Sequence, residues 1–87
     1  MTKKMQNMVL KLAERMNTEF QLFEYGFNDY SKCSNAMREE MHKFDDMRSN
    51  MFHFGLISEE DFRETTHTAS DLWFRKLDAM QNIECAR

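Results

Sequence analysis

Apolar side chains recur along the chain at helical spacing. Met5, Val9, Leu12, Met16, Phe20 and Phe23 follow one another in steps of four, three, four, four and three residues. Such steps place all six on one stripe of an α-helix. A second series runs Tyr30, Met37, Met41, Phe44 and Met51, and a third runs Phe62, Ala69, Trp73, Leu77, Met80 and Ile83. Lys, Glu, Asp, Arg, Asn and Gln fill most positions between them. Nothing alternates cleanly with period two, and few stretches concentrate Val, Ile, Thr or Tyr, so strands are not predicted.

Two glycines punctuate this pattern. Phe23-Glu24-Tyr25-Gly26-Phe27-Asn28 parallels Phe52-His53-Phe54-Gly55-Leu56-Ile57, and both read Phe, any residue, aromatic, Gly, apolar. Glycine lacks a Cβ and takes the left-handed conformation that ends many helices. Leu56 is placed to fold back on the turn before it. Asn28 or Asp29 is placed to cap the helix that follows. Ser58 is placed to cap the last one, with Asp61 three residues on and Glu59 and Glu60 in its first turn, where acids suit the helix dipole. The reading is a single all-helical domain over residues 1–87, with helices over about 3–24, 30–54 and 59–84. Short loops between helices of similar length predict a small antiparallel three-helix bundle.

An alternative fold follows from the same stripe. Phe20, Phe23, Phe27 and Tyr30 keep helical phase through Gly26. One helix from Thr2 to Phe54 would lose only ~1 kcal/mol at that glycine relative to alanine, and would be roughly 75–80 Å long. The third segment would cover half of such a helical hairpin, so a second copy would have to cover the rest in an obligate dimer.

Composition narrows the class. Eight Phe, nine Met and 41% hydrophobic residues indicate a globular chain, and two Gly with no Pro favour helix. A domain of this size buries only ~60–65% of its unfolded surface, so the core is thin. The net charge is −3, and no basic block advertises a grip on nucleic acid. No apolar run reaches the ~20 residues of a membrane span. Met1-Thr2-Lys3-Lys4 is followed by no continuous apolar segment, so a secretory signal is not expected. Cys33 and Cys85 fit neither a disulfide framework nor zinc-ligand spacing. A cytoplasmic, reduced protein is the expectation. Three acid-first pairs four residues apart, Glu39–Lys43, Glu59–Arg63 and Asp71–Arg75, read as ordinary solvated surface.

The best candidate for chemistry is a repeated Glu-x-x-His, at Glu39 to His42 and Glu64 to His67. Two such motifs on facing helices, with further glutamates, hold the di-metal centre of ferritin-like bundles. Antiparallel pairing about Gly55 would bring the two level. Helical phase opposes a site: all four residues fall roughly 130–170° from the centre of their apolar stripe, and metal ligands need an inward, supported setting. Two solvated histidines are expected instead, and a di-metal bundle is a remote alternative. His53 reads as a helix-end residue favoured by the dipole. Cys33 reads as a small core residue and Cys85 as an exposed one. Neither has a histidine and an acid at a recognisable local spacing, and no glycine-rich phosphate loop exists. No enzyme activity and no cofactor are expected.

What stands out is an apolar surplus. Leu10, Leu22 and Phe74 lie off the stripes and Phe54 lies toward the edge, while Phe74 follows Trp73 and cannot share its face. Methionine is over-used at surfaces that adapt to partners, and aromatics anchor interfaces. Leu22, Phe54, Trp73 and Phe74 are therefore the expected partner-binding residues. The expected function is a helical module that binds another protein, with homodimerisation also expected. In size and style the chain resembles the small helical inhibitors and regulators of phages and plasmids, including anti-CRISPR and anti-restriction proteins. That resemblance implies occlusion of a partner's working surface. The second reading is a dimeric regulator associated with nucleic acid, because Lys3, Lys4, Lys11 and Arg15 give the first helix a modestly basic face.

Overall fold

Three helices make up the computed structural model, which describes residues 1–87: α1 (Lys3–Glu24), α2 (Tyr30–His53) and α3 (Glu59–Ala86). Each begins at a side-chain cap. Thr2 accepts from the Met5 amide at 3.3 Å, Asp29 from Lys32 at 2.7 Å and Ser58 from Asp61 at 3.1 Å. These bonds satisfy donors that a helix start leaves without intrahelical partners. Asp29, rather than Asn28, is the cap of α2.

Gly26 and Gly55 end the helices before them, with φ of +84° and +72°. The hydrogen bonds repeat at both places. The Gly26 amide donates to Phe23 at 3.0 Å and Phe27 to Leu22 at 2.8 Å; Gly55 donates to Phe52 at 3.0 Å and Leu56 to Met51 at 2.8 Å. That pair is the Schellman arrangement, which closes a helix by turning one residue left-handed. The single helix from Thr2 to Phe54 is therefore not formed, because α1 stops at Glu24 despite the preserved phase. Leu56 does not fold back as expected. It is 65% exposed, and Ile57 is buried in its place.

The helices run up, down and up in an elongated bundle of 46 × 18 × 16 Å, with all three packed on one another. Leu12, Met16, Phe23, Cys33, Met37, Phe44, Ala69 and Met80 form the main core, and Val9, Phe20, Tyr30, Met41, Trp73, Leu77 and Ile83 pack around it. All three predicted stripes thus face inward. A smaller cluster of Met5, Met51 and Ile57 closes the end where α1 begins and α2 turns into α3. At the other end Arg87 donates to the Phe23 and Glu24 carbonyls at 2.6 and 3.3 Å, and its guanidinium lies 4.5 Å from the Phe23 ring. α1 has no basic residue in its own last turn, so Arg87 supplies charge to that end from across the bundle. No helix is long and apolar enough to cross a membrane.

The surface pairs are partly as expected. Arg63–Glu59 and Arg75–Asp71 lie at 2.7 and 3.0 Å. Lys43 instead pairs with Glu40 at 3.7 Å, because Glu40 turns toward α1, where it also meets Arg15 at 3.6 Å.

Candidate interaction surfaces

Glu39, His42, Glu64 and His67 are exposed, and Glu64 meets the Met1 ammonium at 3.2 Å. No three His, Cys, Asp or Glu side chains come together anywhere as a group able to hold a metal ion. His42 lies beside Arg38, Met41, Asp45 and Trp73 along the α2–α3 groove, where its neighbours offer a single carboxylate. His53 occupies the last turn of α2, edge-on to Phe54 with ring centres 5.6 Å apart.

The cysteines occupy opposite environments. Cys33 is fully buried, with its thiol directed at the Glu19 carbonyl at 3.4 Å and the Met80 sulfur at 3.7 Å. Burial pushes the thiol up, Glu19 adds to the rise and Lys76 opposes it. A thiol held neutral is a poor nucleophile. Cys85 is exposed on the last turns of α3.

Arg48 is a charged residue that pattern reading missed. Its side chain is 8% exposed. The guanidinium donates to the Phe62 carbonyl at 2.9 Å, to the Thr66 hydroxyl and to Asp45 at 3.1 Å, and it stacks 4.1 Å from the Phe62 ring. One donor, Nε, has no partner. The signal was available, since position 48 falls between Phe44 and Met51 on the apolar stripe. Thr65 is the same case on α3: it is fully buried and donates to the Asp61 and Phe62 carbonyls. Arg48 thereby ties α2 to α3.

The four residues expected to bind a partner do not share a surface. Leu22 is 37% exposed, on the last turns of α1. Phe54 lies at the opposite end of the bundle, in the α2–α3 turn, and is 74% exposed. Trp73 is half-buried against the main core, with the Arg38 guanidinium 5.9 Å from its ring. Phe74 is exposed midway along α3.

Exposed apolar surface gathers instead at the two turns. Phe52, Phe54 and Leu56 surround Gly55, and Phe52 packs on Phe62 with ring centres 4.6 Å apart. Tyr25 and Phe27 flank Gly26 and are both exposed. Met47, exposed on α2, was also absent from the expectation. It lines a cleft between α1 and α2 whose floor is Met8, Leu12 and Phe44 and whose rim carries Lys11, Arg15, Glu40 and Lys43. A shallower apolar groove, with Leu10 and Leu72, separates α1 from α3. Comparison with protein-family models, curated proteins and solved structures found no match to the chain.

Proposed function

We propose that the chain is a non-enzymatic helical module that binds another protein through the end of the bundle formed by the α2–α3 turn. The observation that carries this reading is the apolar group Phe52, Phe54 and Leu56, which are 40%, 74% and 65% exposed around one glycine turn. Burying such a side chain contributes ~1.5–3 kcal/mol, enough for three of them to anchor a complex. Two backbone bonds close the turn that presents these side chains together. Glu59 and Glu60 follow directly in the first turn of α3 and supply an acidic rim. A protein of this kind acts by covering a partner's working surface, as a small phage or plasmid inhibitor does.

The test is a capture experiment from host lysate with quantitative mass spectrometry. It compares the wild type with Phe54→Ser/Leu56→Ser, both checked for helix content by circular dichroism. One partner should be retained by the wild type and lost by the folded double variant. Equal recovery by both proteins overturns the proposal. Sedimentation velocity of the purified chain at micromolar concentration reports whether a second copy is that partner; a dimer that the same double variant dissolves assigns homodimerisation to this end.

A further inference from the structure

We infer that the α1–α2 cleft is a second docking site, taking an acidic amphipathic helical segment of a partner protein and anchoring it by one apolar side chain. The cleft lies along the flank of the bundle rather than at its α2–α3 end, so this inference goes beyond the proposal above and does not depend on it.

Size decides the first part of the argument. The cleft encloses about 150 Å³. Small-molecule sites usually measure ~300–1,000 Å³, whereas a cavity of ~150 Å³ holds one benzene-sized group. An occupant of that size is one apolar side chain, which a polypeptide segment delivers while its other residues reach the rim. The apolar lining suits such an anchor: Leu12 and Phe44 are buried at the floor, while Met47 beside them remains 51% exposed. Methionine adapts its shape to an incoming side chain.

Charge decides the rest. Lys11, Arg15 and Lys43 stand at the rim against a single carboxylate, Glu40. That carboxylate is shared between Arg15 at 3.6 Å and Lys43 at 3.7 Å, and Lys11 has no acidic partner. The cleft therefore carries a cationic surplus on a chain of net charge −3, whose acids concentrate on α3. A segment with carboxylates on either side of one apolar residue complements both features. A phosphate backbone would satisfy the cations and leave the exposed Met47 uncovered, so nucleic acid is the less fitting occupant.

The test uses the full chain and a fluorescein-labelled synthetic helix of ~18 residues with Leu and Phe on one face and Glu elsewhere, paired with a copy carrying Lys for Glu. Fluorescence anisotropy should show the acidic helix binding about tenfold or more tighter than the basic one. Lys11→Glu/Lys43→Glu should weaken the acidic helix by about tenfold, while Arg63→Glu/Arg75→Glu, with the same change in net charge, should leave it within about twofold. Met47→Asp should weaken it too, reading the apolar lining independently of the charged rim. Circular dichroism of each variant secures the comparison. Equal binding of the two helices overturns the inference, as does equal loss in the two charge-reversed variants. A DNA duplex that competes for the cleft and binds it more tightly than the acidic helix overturns it in favour of phosphate. Self-association lost on Lys11→Glu/Lys43→Glu overturns it in favour of a second copy. None of these outcomes changes the result expected for Phe54→Ser/Leu56→Ser.

Discussion

Cys33 and Arg48 occupy equivalent inward positions on α2, and their chemistry makes them behave differently. The thiol is small and weakly polar, so its burial among Glu19, Met80 and the main core demands little. Its raised pKa gives a signed expectation. The folded state holds the proton more tightly than the unfolded chain, so the contribution to stability is full below the thiol's ordinary value of 9.0 and is lost as pH climbs through the raised one. Urea denaturation from pH 8 to 10.5 should show the wild type losing more stability than Cys33→Ala; parallel curves for the two proteins would refute it. A thiol reagent at pH 8 should modify Cys85 in the native protein and reach Cys33 only on unfolding. Arg48 shows where pattern reading stops at this scale. An arginine on an apolar stripe reads as a surface residue until Phe62, Thr66 and Asp45 are seen to converge on it from two helices. Arg48 is the buried member, while Asp45 and Thr66 keep access to solvent, so its bonds to α3 hold the α2–α3 register more than they add net stability.

Helix boundaries were largely legible because their signals are local. Caps at Thr2, Asp29 and Ser58 and left-handed glycines act within a few residues of themselves, and the expected ranges agree with α1, α2 and α3 to within two residues. Phase continuity through Gly26 pointed the other way, toward one long helix, and it lost because spacing records only which face a residue occupies. The turn is settled by φ, which spacing does not encode. Contacts between residues far apart in sequence were out of reach for the same reason: Arg87 on the end of α1, Glu40 reaching to Arg15, and Ile57 buried where Leu56 was expected. The residues expected to bind a partner lie apart for a related reason: Leu22, Phe54, Trp73 and Phe74 were grouped by being off-stripe or aromatic, and neither property carries position along the bundle. The glycines give this scale its prediction. A Cβ at Gly26 or Gly55 would meet nothing within 4 Å, so Ala there is opposed by the backbone alone. Gly26→Ala and Gly55→Ala should each destabilise by about 1 kcal/mol or more, read from urea midpoints at constant m-value. A stabilised Gly26→Ala would mean that the first turn opens into continuous helix in solution.

The bundle as a whole is long and thin, and its apolar interior is uneven along the 46 Å axis. Eight buried residues form the main core, whereas three, Met5, Met51 and Ile57, close the α2–α3 end with Met1, Met8 and Phe62 packed on them. With fewer buried apolar side chains to hold it, that end should open without the rest unfolding. Native-state hydrogen exchange should therefore give amides near Met5, Met8, Met51 and Phe52 opening free energies clearly below those near Met16, Met37 and Phe44, which should exchange only through global unfolding. Uniform protection along all three helices would show a single cooperative unit and remove the argument. The weaker end is also the one that displays Phe54 and Leu56. A partner docked there would add apolar contact where the chain itself has least, and would raise protection at Met51 and Phe52 together with the global value. The same side chains that leave this end poorly buried in the free chain are thus the ones that a partner would stabilise most.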